Sequence, residues 1–242
     1  LFSGAFFVES AVGFVYIPML TFMGSLFFIE VLGYSPVKAG WVIVITTGIS
    51  MLLQPPAGRV VDLIGPGIPI AAAMALQAAA LFWMGTFTPK TGITELIIPL
   101  ALMGAGIGFA LPACNTAGMS ALKPEQAGMG SGLMQMTFNV PAALGVALVT
   151  SIVGTLSQER MKAGLSGKPF LQQGMEYAQA LKDGNDAKAA AILNALPPDA
   201  AAFVKGTMVS VHSSTITMSM ATLGIIALAG SVLALFVIGR RR

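Results

Sequence analysis

Long apolar stretches alternate with short polar breaks along the whole chain. A hydrocarbon core of about 30 Å needs about 20 apolar residues per helix, and the backbone groups inside it must be satisfied within the segment. The pattern therefore predicts an all-α integral membrane protein with six transmembrane helices. The spans are expected at about residues 4–32, interrupted by Pro18, 39–53, ending at Pro55–Pro56, 68–87, 96–113, 128–156 and 211–238.

The composition fits a membrane protein and excludes several other classes. The chain is 55% hydrophobic and 10% charged, whereas soluble domains carry about 25% charged residues. Its net charge of +3 comes without a basic stripe of interleaved aromatic residues, so nucleic acid is not an expected partner. The single cysteine, Cys114, excludes an internal disulfide or a zinc cluster, and neither a metal nor a cofactor is expected.

The charged residues divide the chain into three parts. Eleven of the 23 charged residues fall between Glu159 and Lys205. We therefore expect residues 1–156 to hold transmembrane helices one to five, residues 157–210 to form an external loop with short helices, and residues 211–242 to hold the last helix and a basic tail. The loop is expected either to cap the outer mouth of the bundle or to be a solvated connector.

The orientation follows from the C-terminal arginines. Arg240, Arg241 and Arg242 place the C-terminus in the cytoplasm by the positive-inside rule, and six crossings then place Leu1 there too. No basic segment followed by an apolar stretch and a cleavage site is present at the start, so no signal peptide is expected. Because the chain starts at Leu1 rather than Met, we expect a fragment of a longer protein.

The turn after the second span carries a distinctive set of residues. Within PAGRVVDLIG (56–65), Gly58 and Gly65 are expected to let two helices approach across a tight turn. Asp62 is a rare charge beside the bilayer, expected just before the next helix N-terminus, where the helix dipole favours a carboxylate. Arg59 is close enough in sequence to pair with Asp62 or to reach phospholipid. These four residues are candidates for a cytoplasmic gating turn.

This turn resembles the G-x-x-x-D-x-x-G loop signature of the major facilitator superfamily, in the degenerate form of its C-terminal half. Residues 32–40 (LGYSPVKAG) resemble the outer turn after the ninth helix of the fourteen-helix multidrug/proton antiporters, the EmrB/QacA type. Residues 125–148 resemble the start of that group's thirteenth helix. The basic residues that usually follow the loop signature are absent, and Gln135, Phe138 and Asn139 stand where many members carry a polar-arginine stretch.

The resemblance covers essentially the whole chain, as the last six helices of the fourteen. It implies proton-coupled efflux of hydrophobic or cationic drugs by alternating access, in a bacterial inner membrane, and hence a role in antibiotic resistance. One bundle cannot alternate alone. The implied partners are the lipid bilayer, a small hydrophobic or cationic substrate, protons, and the N-terminal half of the same transporter or a second copy.

Two acidic residues lie in the first span. Glu9 is about two turns into the span and has no neighbouring cation in sequence. A carboxylate at depth in a bilayer should be neutral, paired or water-exposed, because charge there costs roughly 2.5 kcal/mol or more. Glu9 is a candidate for proton or cation coupling, or alternatively lies near the cytoplasmic interface. Glu30 is expected at the outer interface.

Further candidates are uncharged. By the family architecture, the first, second, fourth and fifth helices face the central cavity. This makes six residues candidates for the substrate pathway: Asn115, Met134, Gln135, Thr137, Phe138 and Asn139. Small residues allow close contacts between helices in lipid, and we expect this packing role for Gly104, Gly108, Gly128 and Gly132.

Other functional classes have weaker support. An intramembrane enzyme would need a nucleophile and base within hydrogen-bond reach, but Ser131 and His212 are expected near opposite faces of the membrane. The sequence contains no HExxH or Walker motif, so we expect that the chain is not an enzyme. A major facilitator transporter of another small solute and a structural membrane protein without transport activity remain alternatives.

Overall fold

The computed structural model describes residues 2–120 and 122–237. The first helix, α1 (Phe2–Thr21), continues directly as a π-helix (Phe22–Val31). The helices that follow are α2 (Pro36–Ile64), α3 (Gly67–Met84), α4 (Ile93–Met119), α5 (Ala127–Leu165), α6 (Leu171–Lys182), α7 (Asp186–Ala195) and α8 (Pro198–Val237), with a 3₁₀ turn at Pro124–Gln126.

Six of these helical segments are long and apolar enough to cross a membrane. They are Phe6–Val31, Pro36–Ile64, Gly67–Met84, Ile93–Met119, Ala127–Leu165 and Pro198–Phe236. The predicted all-α fold with six transmembrane helices is therefore confirmed. The three arginines behind the predicted orientation, Arg240 to Arg242, lie outside the described residues.

The prediction that the second span stops at Pro55–Pro56 is wrong, because α2 runs through both prolines to Ile64. The prolines cannot donate to the carbonyls one turn earlier, those of Met51 and Leu52. All four of these residues are exposed. The helix nevertheless continues because Ala57 and Val61 are buried on its inner side, so packing outweighs the lost hydrogen bonds.

Helices α5 and α8 both extend well beyond the predicted spans. At about 1.5 Å per residue, their 39 and 40 residues make helices of about 58 and 60 Å, roughly twice the hydrocarbon thickness. The extensions carry α6 and α7, and together they form a second apolar core: Met161, Leu165, Tyr177, Ala178, Ala180, Ala189, Val204 and Met208. We call α6, α7 and the adjoining ends of α5 and α8 the cap.

The transmembrane helices form two layers. Helix α4 contacts α2 and α1, and α1 contacts α5, so the order in the first layer is α2, α4, α1, α5. Helices α3 and α8 contact each other and form the second layer behind this row. Helix α3 packs on α4, and helix α8 packs on α1 and α5. One end of the bundle carries the cap (the cap end), and the other carries the turn between α2 and α3 (the turn end).

Glycines determine how closely neighbouring helices approach in the first layer. A side-chain carbon at Gly104 would collide with the Thr46 carbonyl oxygen, and one at Gly108 would lie 2.9 Å from the Ser50 carbonyl oxygen. Gly104 and Gly108 therefore bring α4 directly against α2. The packing role predicted for Gly128 and Gly132 is wrong within the described chain, since an added carbon at either would meet nothing within 4 Å.

Candidate functional site

The predicted gating turn is mostly helix. Gly58, Arg59 and Asp62 lie in the last two turns of α2, and only Gly65 belongs to the turn itself. Added carbons at Gly58 and Gly65 would meet no described atom within 4 Å, so these glycines do not mediate close contact between the helices in the part of the chain that the structure describes. Gly65 is required instead for its backbone, which has φ 78° and ψ 167°, a region open essentially to glycine alone.

The expected position of Asp62 also needs correction. Asp62 lies in the last turn of α2 rather than before α3. At this C-terminal end of α2 the helix dipole disfavours a carboxylate. Both Asp62 and Arg59 are exposed, and among the described residues no ion pair joins them. The two charges are therefore accessible at the turn end of the bundle.

Glu9 lies inside the first layer. Its side chain is only 3% exposed, so it is buried inside the bundle. The Oε2 atom has no hydrogen-bond partner among the described residues. Glu9 is on α1, which packs against α5, α4 and α8. A carboxylate in this environment requires a proton or a cation to offset its charge.

Asn115 and Gln135 lie close to the level of Glu9. On α1, Gly13 follows Glu9 by one turn and packs against the backbone of Phe138 on α5. Glu9 therefore lies about one turn closer to the turn end than Phe138, at about the level of Gln135. An added carbon at Gly118 of α4 would lie 2.7 Å from the Met134 sulfur. Because α4 and α5 run in opposite directions, Asn115 is at about the level of Phe138.

The six pathway candidates separate into two groups. Asn115, Gln135 and Asn139 are exposed, and the latter two are four residues apart on one face of α5. In contrast, Met134 is buried against Gly118, Thr137 donates to the Leu133 carbonyl at 2.8 Å, and Phe138 is half-buried in the apolar core. The second group therefore packs between helices and does not line an exposed surface.

The exposed polar side chains belong to a sparsely covered side of the bundle. Only 22% of the α2 span and 28% of the α5 span are buried, against 61% of α3. Helix α4 is flanked by α2, α1 and α3, so an exposed Asn115 faces away from the second layer. We call this side of the first layer the open face.

A cavity at the cap end was not predicted from the sequence. It has a volume of about 190 Å³ and lies between the π-helix, α5, α6 and α8. His212 Nδ1 and Glu30 Oε2 are 2.8 Å apart at its wall, linking the first helix to the last. Ser157 also lines it, and the buried Ser157 hydroxyl has no hydrogen-bond partner among the described residues. The sequence singled out His212 as the only histidine but could not identify its partner, 182 positions away.

Ser131 and His212 are far apart. The Ser131 hydroxyl donates to the Gly128 carbonyl at 3.2 Å near the start of α5. His212 lines the cap-end cavity together with Ser157, which is 26 positions further along the same helix. At 1.5 Å per residue this separation is about 39 Å, so the two side chains cannot act together.

Comparison with known proteins agrees with this architecture. The family model of the Major Facilitator Superfamily matches residues 1–157. A "Tetracenomycin C resistance and export protein" of Streptomyces glaucescens is 28% identical over 225 residues, which cover 89% of this chain and 41% of that protein. A "Multidrug resistance protein B homolog" of Mycobacterium tuberculosis (strain ATCC 25618 / H37Rv) is 32% identical over 127 residues, covering 51% of this chain and 23% of that protein.

A third relative has a different kind of name. The "Riboflavin transporter RibZ" of Clostridioides difficile (strain 630) is 27% identical over 126 residues, covering 52% of this chain and 28% of that protein. The chain thus spans well under half the length of each of these relatives. The resemblance to a drug-efflux group of transporters, drawn from the sequence motifs, is confirmed.

Proposed function

The chain belongs to the major facilitator superfamily, and on that basis we propose that it forms one six-helix half of a secondary transporter. The transporter exports hydrophobic or cationic compounds in exchange for protons, by rocking two bundles around a central site. Two relatives named for resistance or export support this direction of transport. The chain is a multi-pass membrane protein, and we place it in a bacterial inner membrane with both termini in the cytoplasm.

The observation that carries this proposal is the buried carboxylate of Glu9. Its Oε2 atom has no hydrogen-bond partner among the described residues, and it lies near the level of the exposed Asn115 and Gln135. An ionised carboxylate in such a place is unfavourable without a positive partner. A proton and a cationic substrate can each offset the charge, and competition between them for Glu9 would couple proton entry to substrate release.

A second bundle would complete the central site from the open face. On α5, exposed apolar side chains recur every three or four residues beside the polar face of Gln135 and Asn139: Met129, Leu133, Met136, Val140 and Leu144. Such a stripe requires a partner helix or lipid. We propose that the N-terminal half of the same transporter, or a second copy of this chain, lies against the open face.

The turn end would serve as the cytoplasmic gate. Arg59 and Asp62 are exposed there without pairing to each other, so both can pair with the second bundle when the cytoplasmic side is closed. The tight turn at Gly65 fixes the point where α2 reverses into α3.

The test is proton-driven efflux from vesicles containing the full-length protein. A fluorescent lipophilic cation is loaded, a pH gradient is imposed, and the wild type is compared with Glu9→Gln. We expect Glu9→Gln to reduce gradient-driven efflux at least tenfold, because an amide of the same size cannot take up or release a proton. Glu125→Gln, at an exposed carboxylate beside α5, is the matched control and should retain efflux. Full gradient-driven efflux by Glu9→Gln would contradict the proposed role.

A second candidate function is transport of another small solute. It is favoured by the relative named as a riboflavin transporter. The same vesicles can be assayed for riboflavin uptake through its intrinsic fluorescence. Riboflavin uptake without efflux of any lipophilic cation would favour this second function over drug export.

A further inference from the structure

The cavity at the cap end is separate from the proposed transport site. Glu30 at its wall is 21 residues after Glu9 on the same helical segment, which corresponds to about 30 Å along the axis. The cavity is lined by the π-helix, α5 and α8, with α6 of the cap on its remaining side. Its contents would therefore not occupy the path across the open face.

The cavity lies near one end of the first candidate membrane span. Glu30 is the penultimate residue of the first membrane span, Phe6–Val31. Leu26 and Phe22 also line the cavity, about one and two turns deeper in the span. On α5, Val153 lies one turn deeper than Ser157, and the polar Thr150 lies about one turn deeper again. On the π-helix wall the deeper side chains are therefore apolar, and the Glu30–His212 pair lies near the end of the span.

The polar part of the cavity contains both signs of charge. The Glu30 carboxylate is 35% exposed and contacts His212 through one oxygen, Oε2. The Lys182 ammonium lies next to Gly154 on the α5 wall, and among the described residues no carboxylate is within ion-pair distance of it. The Ser157 hydroxyl is 8% exposed and has no hydrogen-bond partner there. A buried hydroxyl is rarely left unpaired, and an acceptor in the cavity that Ser157 lines would satisfy it.

We propose that this cavity binds a zwitterionic phospholipid with a primary amine in its headgroup, such as phosphatidylethanolamine. The phosphate pairs with the Lys182 ammonium and accepts a hydrogen bond from Ser157. The lipid ammonium donates to Glu30, and the start of an acyl chain packs along Leu26 and Phe22. A primary ammonium offers hydrogen-bond donors to a carboxylate, whereas the methylated ammonium of phosphatidylcholine offers none. The site should therefore distinguish the two headgroups.

The test is lipid binding to the full-length protein, purified in detergent and measured by native mass spectrometry. Dioleoyl phosphatidylethanolamine and dioleoyl phosphatidylcholine have the same acyl chains and differ only in the ammonium. We expect the first to bind about tenfold more tightly to the wild type, the usual effect of one charge-assisted hydrogen bond. Glu30→Gln, which can still accept from His212, should abolish the preference. Lys182→Gln should lower the binding affinity for both lipids by a similar factor.

Lys188→Gln is the matched control, because Lys188 is an exposed lysine on α7 that does not line the cavity. It should leave both affinities unchanged. Equal binding of the two lipids to the wild type would overturn the proposal. Wild-type affinity for both lipids in Lys182→Gln would also overturn it, because Lys182 is exposed and its replacement does not put the fold at risk. Displacement of the lipid by millimolar free phosphoethanolamine would assign the site to a soluble phosphoester instead. The measurement needs no proton gradient, so its outcome is independent of the transport proposal.

Discussion

Replacing Gly108 by alanine tests how closely α4 must lie against α2. The added carbon would be 2.9 Å from the Ser50 carbonyl oxygen and 3.2 Å from the Leu53 Cβ. The carbonyl belongs to the helix backbone and cannot rotate away as a side chain could. The two helices must therefore separate locally by about 0.5 Å to reach ordinary contact distance.

The size of the effect follows from that separation. A gap of about 0.5 Å forfeits roughly a quarter of the dispersion energy of each contact it opens, and overpacking a tight interface costs about 1–3 kcal/mol in measured cases. We expect a loss of this size for Gly108→Ala. Gly104→Ala should cost more, because its added carbon collides with the Thr46 carbonyl oxygen, and that region also holds the 3.1 Å hydrogen bond from Thr46 Oγ1 to the Leu100 carbonyl.

Thermal unfolding of the full-length protein in detergent, followed by tryptophan fluorescence, measures these losses. Gly206→Ala in α8 is the matched control, because an added carbon there would meet nothing within 4 Å. It should leave the melting temperature unchanged or raise it slightly, since alanine is the better helix former. Equal melting temperatures for Gly108→Ala and Gly206→Ala would refute the reasoning that this interface depends on the absence of a side chain.

Two further predictions concern the turn and the cap. Gly65→Ala should cost about 1–3 kcal/mol, because its φ of 78° and ψ of 167° strain any side chain; Gly58→Ala, at a helical and open position, should be neutral in the same unfolding assay. Burial raises the pKa of the Tyr177 phenol, and the Glu30 and Asp186 carboxylates raise it further. The folded chain therefore holds this proton more tightly than the unfolded chain, so stability should fall as the pH rises above about 10. Tyr177→Phe should flatten that decline in melting temperature between pH 8 and 11, and an unchanged slope would contradict the assignment.

The number and type of the transmembrane helices could be predicted from the sequence. Apolar length alone decides whether a helix crosses a bilayer, so all six spans were found. The motif at Gly58, Asp62 and Gly65 correctly indicated the family. Its geometry was not predictable, because a proline pair ordinarily ends a helix. Burial of Ala57 and Val61 against the bundle kept α2 intact through Pro55 and Pro56.

The candidate site was predicted less completely. The sequence identified Glu9 as an unusual carboxylate, and only the packing of α1 among its neighbouring helices decided that it is buried inside the bundle. Periodicity along one helix cannot show which face has a neighbour. Gly104 and Gly108 therefore pack against α2, while added carbons at Gly128 and Gly132 would meet no described residue within 4 Å.

Local pattern by itself determined the membrane class of this protein, its helices and its family signature, because each depends on residues close together in the chain. The pairing of Glu30 with His212, the orphaned hydroxyl of Ser157 and the cap built on the extended α5 and α8 were decided only by the tertiary structure. These features join segments up to 182 positions apart. Their energies exist only once the helices have packed, so no local pattern in the sequence records them.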